Sequence, residues 1–412
     1  MKKILSLNNY LKFLPLLIVY IIICLIKQQN ILVGDEDDYL LFADNLLNGF
    51  YANPEHEYSF LWNGPGYPIF LMVFRFLNVS LLIPKLFNCL FIYLGVIYFF
   101  KSLSQLINEK KAFYISIILG LFYPFLVEAL PYLLTESLSF LLVSLFTYSF
   151  LIYLEHKSEK HKWAASLSLG YLILTKIFFA YVIIFTLVFI LPFLFYKKTR
   201  MKARDYSLVL FLGFCFTIPY LFYTYSQTDK LLYYSNAGGM SLYWMSSPYE
   251  NELGDWHSFE TLSKKPEIYK NHMAFINTIE SLPPVKKDSA LKTKAIENIV
   301  NNKNKFFKNW QSNLGRLFFD YPYSFQKPNI SILRQLIPRS ILLILLIITF
   351  ALSLKHIKHL NPIIIIFGVI SVVYIGGISL LSAYPRFLYI ILPMLLLWIS
   401  YVCDKYIKIS VK

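Results

Sequence analysis

Four carboxylates in a row, Asp35-Glu36-Asp37-Asp38, follow directly on the first long apolar stretch of the chain. Charged groups at the edge of such a stretch are costly unless water or a partner compensates them, which makes the cluster a candidate for chemistry. A carboxylate held there can take a proton from a hydroxyl as a general base. Asp35 leads the cluster, and Glu36 and Asp38 compete for the same work. Capping accounts for the same residues without chemistry: Asp35 at a helix N-terminus, with Asp38 three residues on, would satisfy free N–H groups at the positive end of the helix. The two readings are compatible. The spacing of Tyr39, Phe42, Ala43, Leu46 and Leu47 predicts an amphipathic helix in the membrane interface, ended by Gly49.

Other groups with chemical potential recur at the ends of apolar runs. Trp62-Asn63-Gly64-Pro65-Gly66-Tyr67-Pro68 reads as a rigid turn ahead of an apolar stretch containing Arg75. Thr135-Glu136 follows Tyr123-Pro124 and Pro131, and reads either as a helix cap or as a second acid facing a cavity. In Ser382-Ala383-Tyr384-Pro385-Arg386-Phe387, the guanidinium suits a phosphate, because it pairs two oxygens at once; a snorkelling interfacial arginine is the alternative. Lys85 and Lys176 are single cations near run ends, read as snorkelling or as holding a lipid phosphate. Asn236-Ala237-Gly238-Gly239, Leu242-Tyr243-Trp244 and Gly254-Asp255-Trp256 lie in a long polar segment, where most of the aromatics are expected to pack. His56, His257 and His272 lack ligand spacing and read as solvated. Four carboxylates could hold a divalent ion such as Mg²⁺ or Mn²⁺, but no cofactor is required. Cys24, Cys89, Cys215 and Cys403 all fall in apolar runs and read as small apolar fillers.

The elements that must position these groups follow from composition. Of 412 residues, 57% are hydrophobic and only 15% charged, which excludes a disordered chain and argues against a water-soluble enzyme. Apolar runs near 20 residues, enough to cross a bilayer, fall at 11–30, 82–101, 112–130, 134–154, 163–178, 179–196, 206–226, 336–354, 361–381 and 387–403. The fifth and sixth abut at Lys176. The expected fold is therefore an all-α polytopic membrane protein of about ten spans. Residues 1–226 form an N-terminal module whose first outer loop is 31–81, residues 227–335 an α-rich outer subdomain, and residues 336–412 the C-terminal spans. Basic residues crowd every second connection, which puts both termini in the cytoplasm and the acidic cluster outside. The formal charge of +15 is thus largely a topology signal, and nucleic acid is not an expected partner. The 227–335 segment is itself mixed, with 14 basic and 10 acidic residues.

Taken in order, Asp35-x-x-x-Tyr39, Ala43, Leu46-Leu47-x-Gly49, Pro65-Gly66-Tyr67-Pro68, Thr135-Glu136, Asn236…Leu242-Tyr243 and Tyr384-x-Arg386-Phe387…Pro393 resemble the GT-C glycosyltransferases. More narrowly, they are similar to the bacterial protein-mannosyltransferase-like and aminoarabinose-transferase-like group. The resemblance touches almost the whole chain. It implies a GT-C-like helix bundle in the cytoplasmic membrane that transfers a sugar, with inversion, from a polyprenyl-phosphate donor to a hydroxyl of a lipid, glycan or protein acceptor. It places the base on Asp35, with Glu36, Asp38 and Glu136 in the same acidic set. It places the donor phosphate near Arg386, Tyr384 and Lys85, and substrate contacts on Tyr39, Trp62, Tyr67, Asn236 and Tyr243. Two other readings stay open. An O-antigen-type polysaccharide polymerase or ligase would rest on outer arginines such as Arg316, Arg334 and Arg339. A flippase or transporter would need charges deep in several spans, or repeated halves.

Overall fold

The computed structural model describes residues 7–29, 31–32, 34–52, 61–327 and 331–407, and among these every regular element is a helix. His56 lies outside the described residues, as do four basic residues at the chain ends, Lys2, Lys3, Lys408 and Lys412.

The first half runs α1 (Leu7–Lys27), α2 (Glu36–Leu47), α3 (Gly66–Phe76), α4 (Leu82–Leu103), α5 (Glu109–Gly120), α6 (Tyr123–Ala129), α7 (Glu136–His156), α8 (Glu159–Thr175), α9 (Phe178–Ile190), α10 (Arg200–Cys215) and α11 (Ile218–Thr228). The 227–335 segment adds α12 (Gly238–Met245), α13 (Phe259–Lys264), α14 (Lys270–Ile279), α15 (Pro284–Asn301) and α16 (Lys303–Phe319). The chain closes with α17 (Ser331–Lys355), α18 (Pro362–Ser379) and α19 (Pro385–Tyr406).

Each of the ten apolar runs coincides with a helix or a bent pair. Six helices (α1, α4, α7, α17, α18 and α19) are long and apolar enough to cross a membrane. The pairs α5/α6 and α10/α11 raise this to eight, each bent by 48°. Pro124 and Pro219 sit in the first turn after each break, where a proline cannot continue the preceding ladder but suits a new helix start. The remaining two runs, α8 and α9, are shorter and meet at Lys176-Ile177. The chain is a multi-pass membrane protein.

Burial sorts the spans. α1 and α17 turn most of their residues outward, whereas α7 and α19 are mostly buried. The two inner helices begin with Glu136 and Pro385-Arg386, so the most enclosed elements carry the charged groups. One apolar cluster runs through the whole membrane bundle. A second, smaller one (Met240, Tyr243, Trp244, Leu262, Tyr269, Ile276, Ile279 and Leu291) belongs to the 227–335 segment alone.

Candidate active site

Asp35 occupies the residue before α2, but its side chain caps nothing. Its Oδ2 instead accepts from Arg386 Nη2 at 2.7 Å. Arg386 Nε lies 3.9 Å from Glu136 Oε1, and the same oxygen accepts from Lys176 Nζ at 3.2 Å. Thr135 likewise forgoes capping; its hydroxyl faces Glu136 Oε2 at 3.4 Å. Two acids and two cations from four distant stretches thus sum to zero charge at one place. The Phe387 ring centroid lies 5.3 Å from the Arg386 guanidinium and 5.1 Å from Lys176 Nζ, so both cations rest against one aromatic ring. Burial works to raise the Asp35 pKa, but the charge and hydrogen bond of Arg386, with Lys176 behind it, outweigh burial and hold the carboxyl below its ordinary value.

Local structure fixes each member. Glu36 is fully buried and accepts the backbone N–H of Leu133 at 2.7 Å. Asn88 Nδ2 donates to the carbonyls of Leu130 and Tyr132 at 3.3 and 2.7 Å. These bonds pin the turn that delivers Glu136. The glycines of the Trp62–Pro68 turn answer to a close approach: a Cβ on Gly64 would lie 2.1 Å from the Leu174 carbonyl oxygen, and one on Gly66 2.5 Å from Thr175 Oγ1. Tyr171 completes the contact by donating to the Gly66 carbonyl at 2.7 Å. The turn therefore seats directly on the end of α8, beside Lys176. The stretch before Arg386 is held from outside. Asn313 Nδ2 donates to the Ser379 carbonyl at 2.6 Å, its Oδ1 accepts from Ala383 N at 3.2 Å, and Trp310 Nε1 donates to Ser379 Oγ at 3.0 Å.

The structure thus brings Asp35, Glu136 and Arg386 together, with Tyr39 and Tyr67 alongside. The two tyrosine rings meet edge-on at 5.1 Å. Burial first, then the negative charges of Asp35 and Glu136, push the Tyr39 phenol well up, so it keeps its proton. The buried Tyr67 hydroxyl has no partner among the described residues. Asp38 is half-buried, and Tyr384 lies 6.0 Å from the Arg386 guanidinium. Other expected site residues make different contacts. Lys85 is buried and donates to the Gln29 carbonyl at 2.9 Å. Asn236 Oδ1 accepts from Leu61 N at 3.2 Å, and Trp62 meets Trp256 edge-on at 5.5 Å; both tie the stretch before α3 to the 227–335 segment. Tyr243 bonds His272 Nδ1 at 2.7 Å.

The histidines correct the sequence reading. His272 is buried, not solvated, between Tyr243 and Glu252 Oε2 at 2.8 Å. His257 pairs with Asp255 Oδ2 at 3.3 Å and Tyr269 at 3.0 Å. Both imidazoles lie on the Trp244 indole, at 4.6 and 4.8 Å. A carboxylate and a phenol satisfy the two nitrogens of each ring, from remote positions for His272 and, for His257, from Asp255 two residues back and Tyr269. Arg316 is equally structural, donating to the carbonyls of Pro322 and Leu253 and to Asn313. At Gly239 a Cβ would stand 2.4 Å from the Asp288 carbonyl oxygen, so that glycine serves close packing.

Two groupings escaped the sequence reading. Lys176 was open to a bland role, yet it completes the charged cluster; its only signal was a cation splitting a long apolar run. The second is Arg339, buried in α17, whose Nη2 donates to Glu128 Oε1 at 3.1 Å and to the Tyr389 hydroxyl. Pairing across 211 positions leaves no local pattern.

The carboxylates do not fit a divalent metal well. Asp35 and Glu136 already face cations, Glu36 holds a backbone N–H, and no three ligand-type side chains gather among the described residues. No protein-family model matches the chain, and no curated protein is found to match it. Among solved structures it is similar to the crystal structure of ArnT from Cupriavidus metallidurans bound to undecaprenyl phosphate. The likeness covers 97% of this chain and 79% of that one, at 12% identity and a TM-score of 0.43.

Proposed function

We propose that this chain is a GT-C-type glycosyltransferase that moves a sugar from a polyprenyl-phosphate carrier to an acceptor hydroxyl at the outer face of the cytoplasmic membrane, both chain ends lying in the cytoplasm. The observation that carries the reading is the Asp35–Arg386 pair at 2.7 Å, with Glu136 and Lys176 behind it. A base and a phosphate-pairing cation stand together at the mouth of a membrane bundle, where lipid-borne donor and hydroxyl acceptor could meet.

The chemistry follows from what these groups can do. The acceptor oxygen attacks the anomeric carbon as Asp35 takes its proton. The bond from that carbon to the phosphate oxygen breaks, the polyprenyl phosphate leaves as an anion, and attack opposite the leaving group inverts the centre. Arg386 neutralises the departing charge, so no acid is needed to protonate it. In the resting site the two acids consume both cations. A donor phosphate at Arg386 must therefore compete with Asp35 for the guanidinium. Donor binding then loosens the contact that keeps Asp35 a weak base, and the base strengthens when the sugar is in place. Tyr39 and Tyr67 line the same space and offer phenol donors to sugar hydroxyls. The carboxylates need no metal, because Arg386 and Lys176 supply the positive charge.

The test is turnover of purified protein with a polyprenyl-phosphate sugar, read as release of free polyprenyl phosphate. The Asp35→Asn variant should lose transfer while inserting and folding normally. Unchanged turnover in that variant rejects the assignment.

A further inference from the structure

We infer that the 227–335 segment carries a saccharide-binding cleft, between the turn at Tyr249–Glu252 and the start of α14, that holds a neutral, hydroxyl-rich sugar unit of a glycan acceptor. The word acceptor rests on the glycosyltransferase reading; the cleft stands on its own residues. It encloses about 430 Å³, within the range of small-ligand sites, and its lining is mostly polar. Glu252 is the group it leaves unanswered. This residue lines the cleft yet is only 4% exposed. Both of its side-chain bonds, from Ser247 and to His272 Nε2 at 2.8 Å, use Oε2, and Oε1 has no partner among the described residues. Polar groups buried to that degree are normally matched, so the free oxygen is left for a donor that enters the cleft.

The remaining lining names the class of that donor. Glu250 and Glu267 add two carboxylates against one cation, Lys270. Three acids against one lysine repel phosphates and acidic sugars. Among the described residues no three acids or histidines gather closely enough for a metal ion, so the acids call for hydroxyl donors. Asn251 and Asn271 carry amides that both donate and accept, as sugar hydroxyls do. Two rings complete the walls. Tyr249 is fixed by donating its hydroxyl to the Asn271 carbonyl at 2.9 Å and by meeting His272 edge-on at 5.1 Å. Phe325 holds φ at +60°, a costly conformation for a bulky side chain, while 49% of its surface stays exposed. Aromatic faces take the C–H face of a sugar ring while acids and amides take the hydroxyls at its edge. Phe325 also follows Tyr323 by two residues, at most about 7 Å of chain. The Tyr323 ring stacks on Tyr384 at 6.4 Å, and Tyr384 lies 6.0 Å from the Arg386 guanidinium. A short relay of contacts therefore links the cleft to the charged cluster, and a glycan of a few units spans it.

The test is calorimetric binding of defined oligosaccharides to the full-length protein in lipid nanodiscs. The probes are cellotetraose and chitotetraose, both neutral, and tetragalacturonate, with a carboxylate on every unit. The variants are Phe325→Ala and Glu250→Gln/Glu267→Gln, all at exposed positions. The parent protein should bind at least one neutral tetraose, and tetragalacturonate at least tenfold more weakly. Phe325→Ala should weaken neutral binding by about fivefold, the worth of one aromatic face. The double variant should narrow the gap between neutral and acidic probes. The cleft assignment is overturned if neither neutral tetraose binds the parent, if tetragalacturonate binds more tightly, or if both variants keep the parent's affinities. Saccharide binding that depends on Phe325 in a protein that transfers no sugar counts against the glycosyltransferase reading and leaves the cleft. Sugar transfer by a protein that binds neither neutral probe does the reverse.

Discussion

Asp35 and Arg386, 351 positions apart, are joined by a 2.7 Å bond between Oδ2 and Nη2. The stretch before α2 and the last helix thereby meet at one charge pair, and the properties of the acid are set by a residue almost a whole chain away. With the acid removed, general-base help worth about 10²–10⁴-fold should vanish from the transfer rate.

The same pair dictates a pH profile. As the proposed base, Asp35 would work as the carboxylate, and its folded pKa is lowered. Activity should persist from neutral pH down through the ordinary carboxylate range and fall only as pH passes the lowered value. The pair's contribution to stability is complete above the ordinary carboxylate value, shrinks below it as the unfolded chain takes up its proton, and is gone once pH has fallen through the lowered value. In Arg386→Gln the opposing charge is gone and burial remains, so the acid limb of kcat/KM should move upward. With donor bound, the acid limb of kcat should lie above that of kcat/KM. Rate profiles between about pH 3 and 8 check both expectations.

Glu36 neighbours Asp35 in sequence but points to another task, holding the Leu133 N–H at 2.7 Å. Glu36→Ala leaves that buried donor unmatched and should cost about 1–3 kcal/mol in stability. Because the held turn delivers Glu136, kcat should fall as well. Glu36→Gln keeps an acceptor and should recover most of both. Thermal unfolding in detergent together with turnover separates the two effects.

The glycine turn on α8 gives a steric test. A methyl at Gly66 would press on Thr175 Oγ1 at 2.5 Å and on its backbone N at 2.7 Å. Gly66→Ala should destabilise by about 1–3 kcal/mol and disturb Lys176. Gly376 in α18 has open space at the corresponding point, so Gly376→Ala should be neutral or stabilise by up to about 1 kcal/mol. Equal effects at the two glycines would count against the close-approach account.

Removal of divalent ions offers a further check. Arg386 and Lys176 balance Asp35 and Glu136. Transfer should therefore continue at an undiminished rate with a chelator present. A rate restored only by Mg²⁺ or Mn²⁺ would overturn this expectation.

What the sequence made legible was whatever is local or periodic. The apolar runs fell on helices, and the spacing from Tyr39 to Leu47 became α2, ended near Gly49. The ends of those helices carried the acids and the arginine that the structure assembles. Pairings between remote positions stayed hidden. Nothing near Asp35 shows that it will choose Arg386 over a helix N-terminus. Nothing near His272 shows that Glu252 and Tyr243 will enclose it, and a histidine in a polar stretch reads as wet until those partners are known. The bends at Pro124 and Pro219 are local signals too, but their effect on span count depends on how the halves pack.

Asn313 joins α16 to the backbone on both sides of Leu381, and Trp310 adds a third tie at Ser379. The start of the last helix is thus anchored through side chains of a helix remote in sequence. The position of the Arg386 guanidinium opposite Asp35 therefore depends on two residues that touch neither.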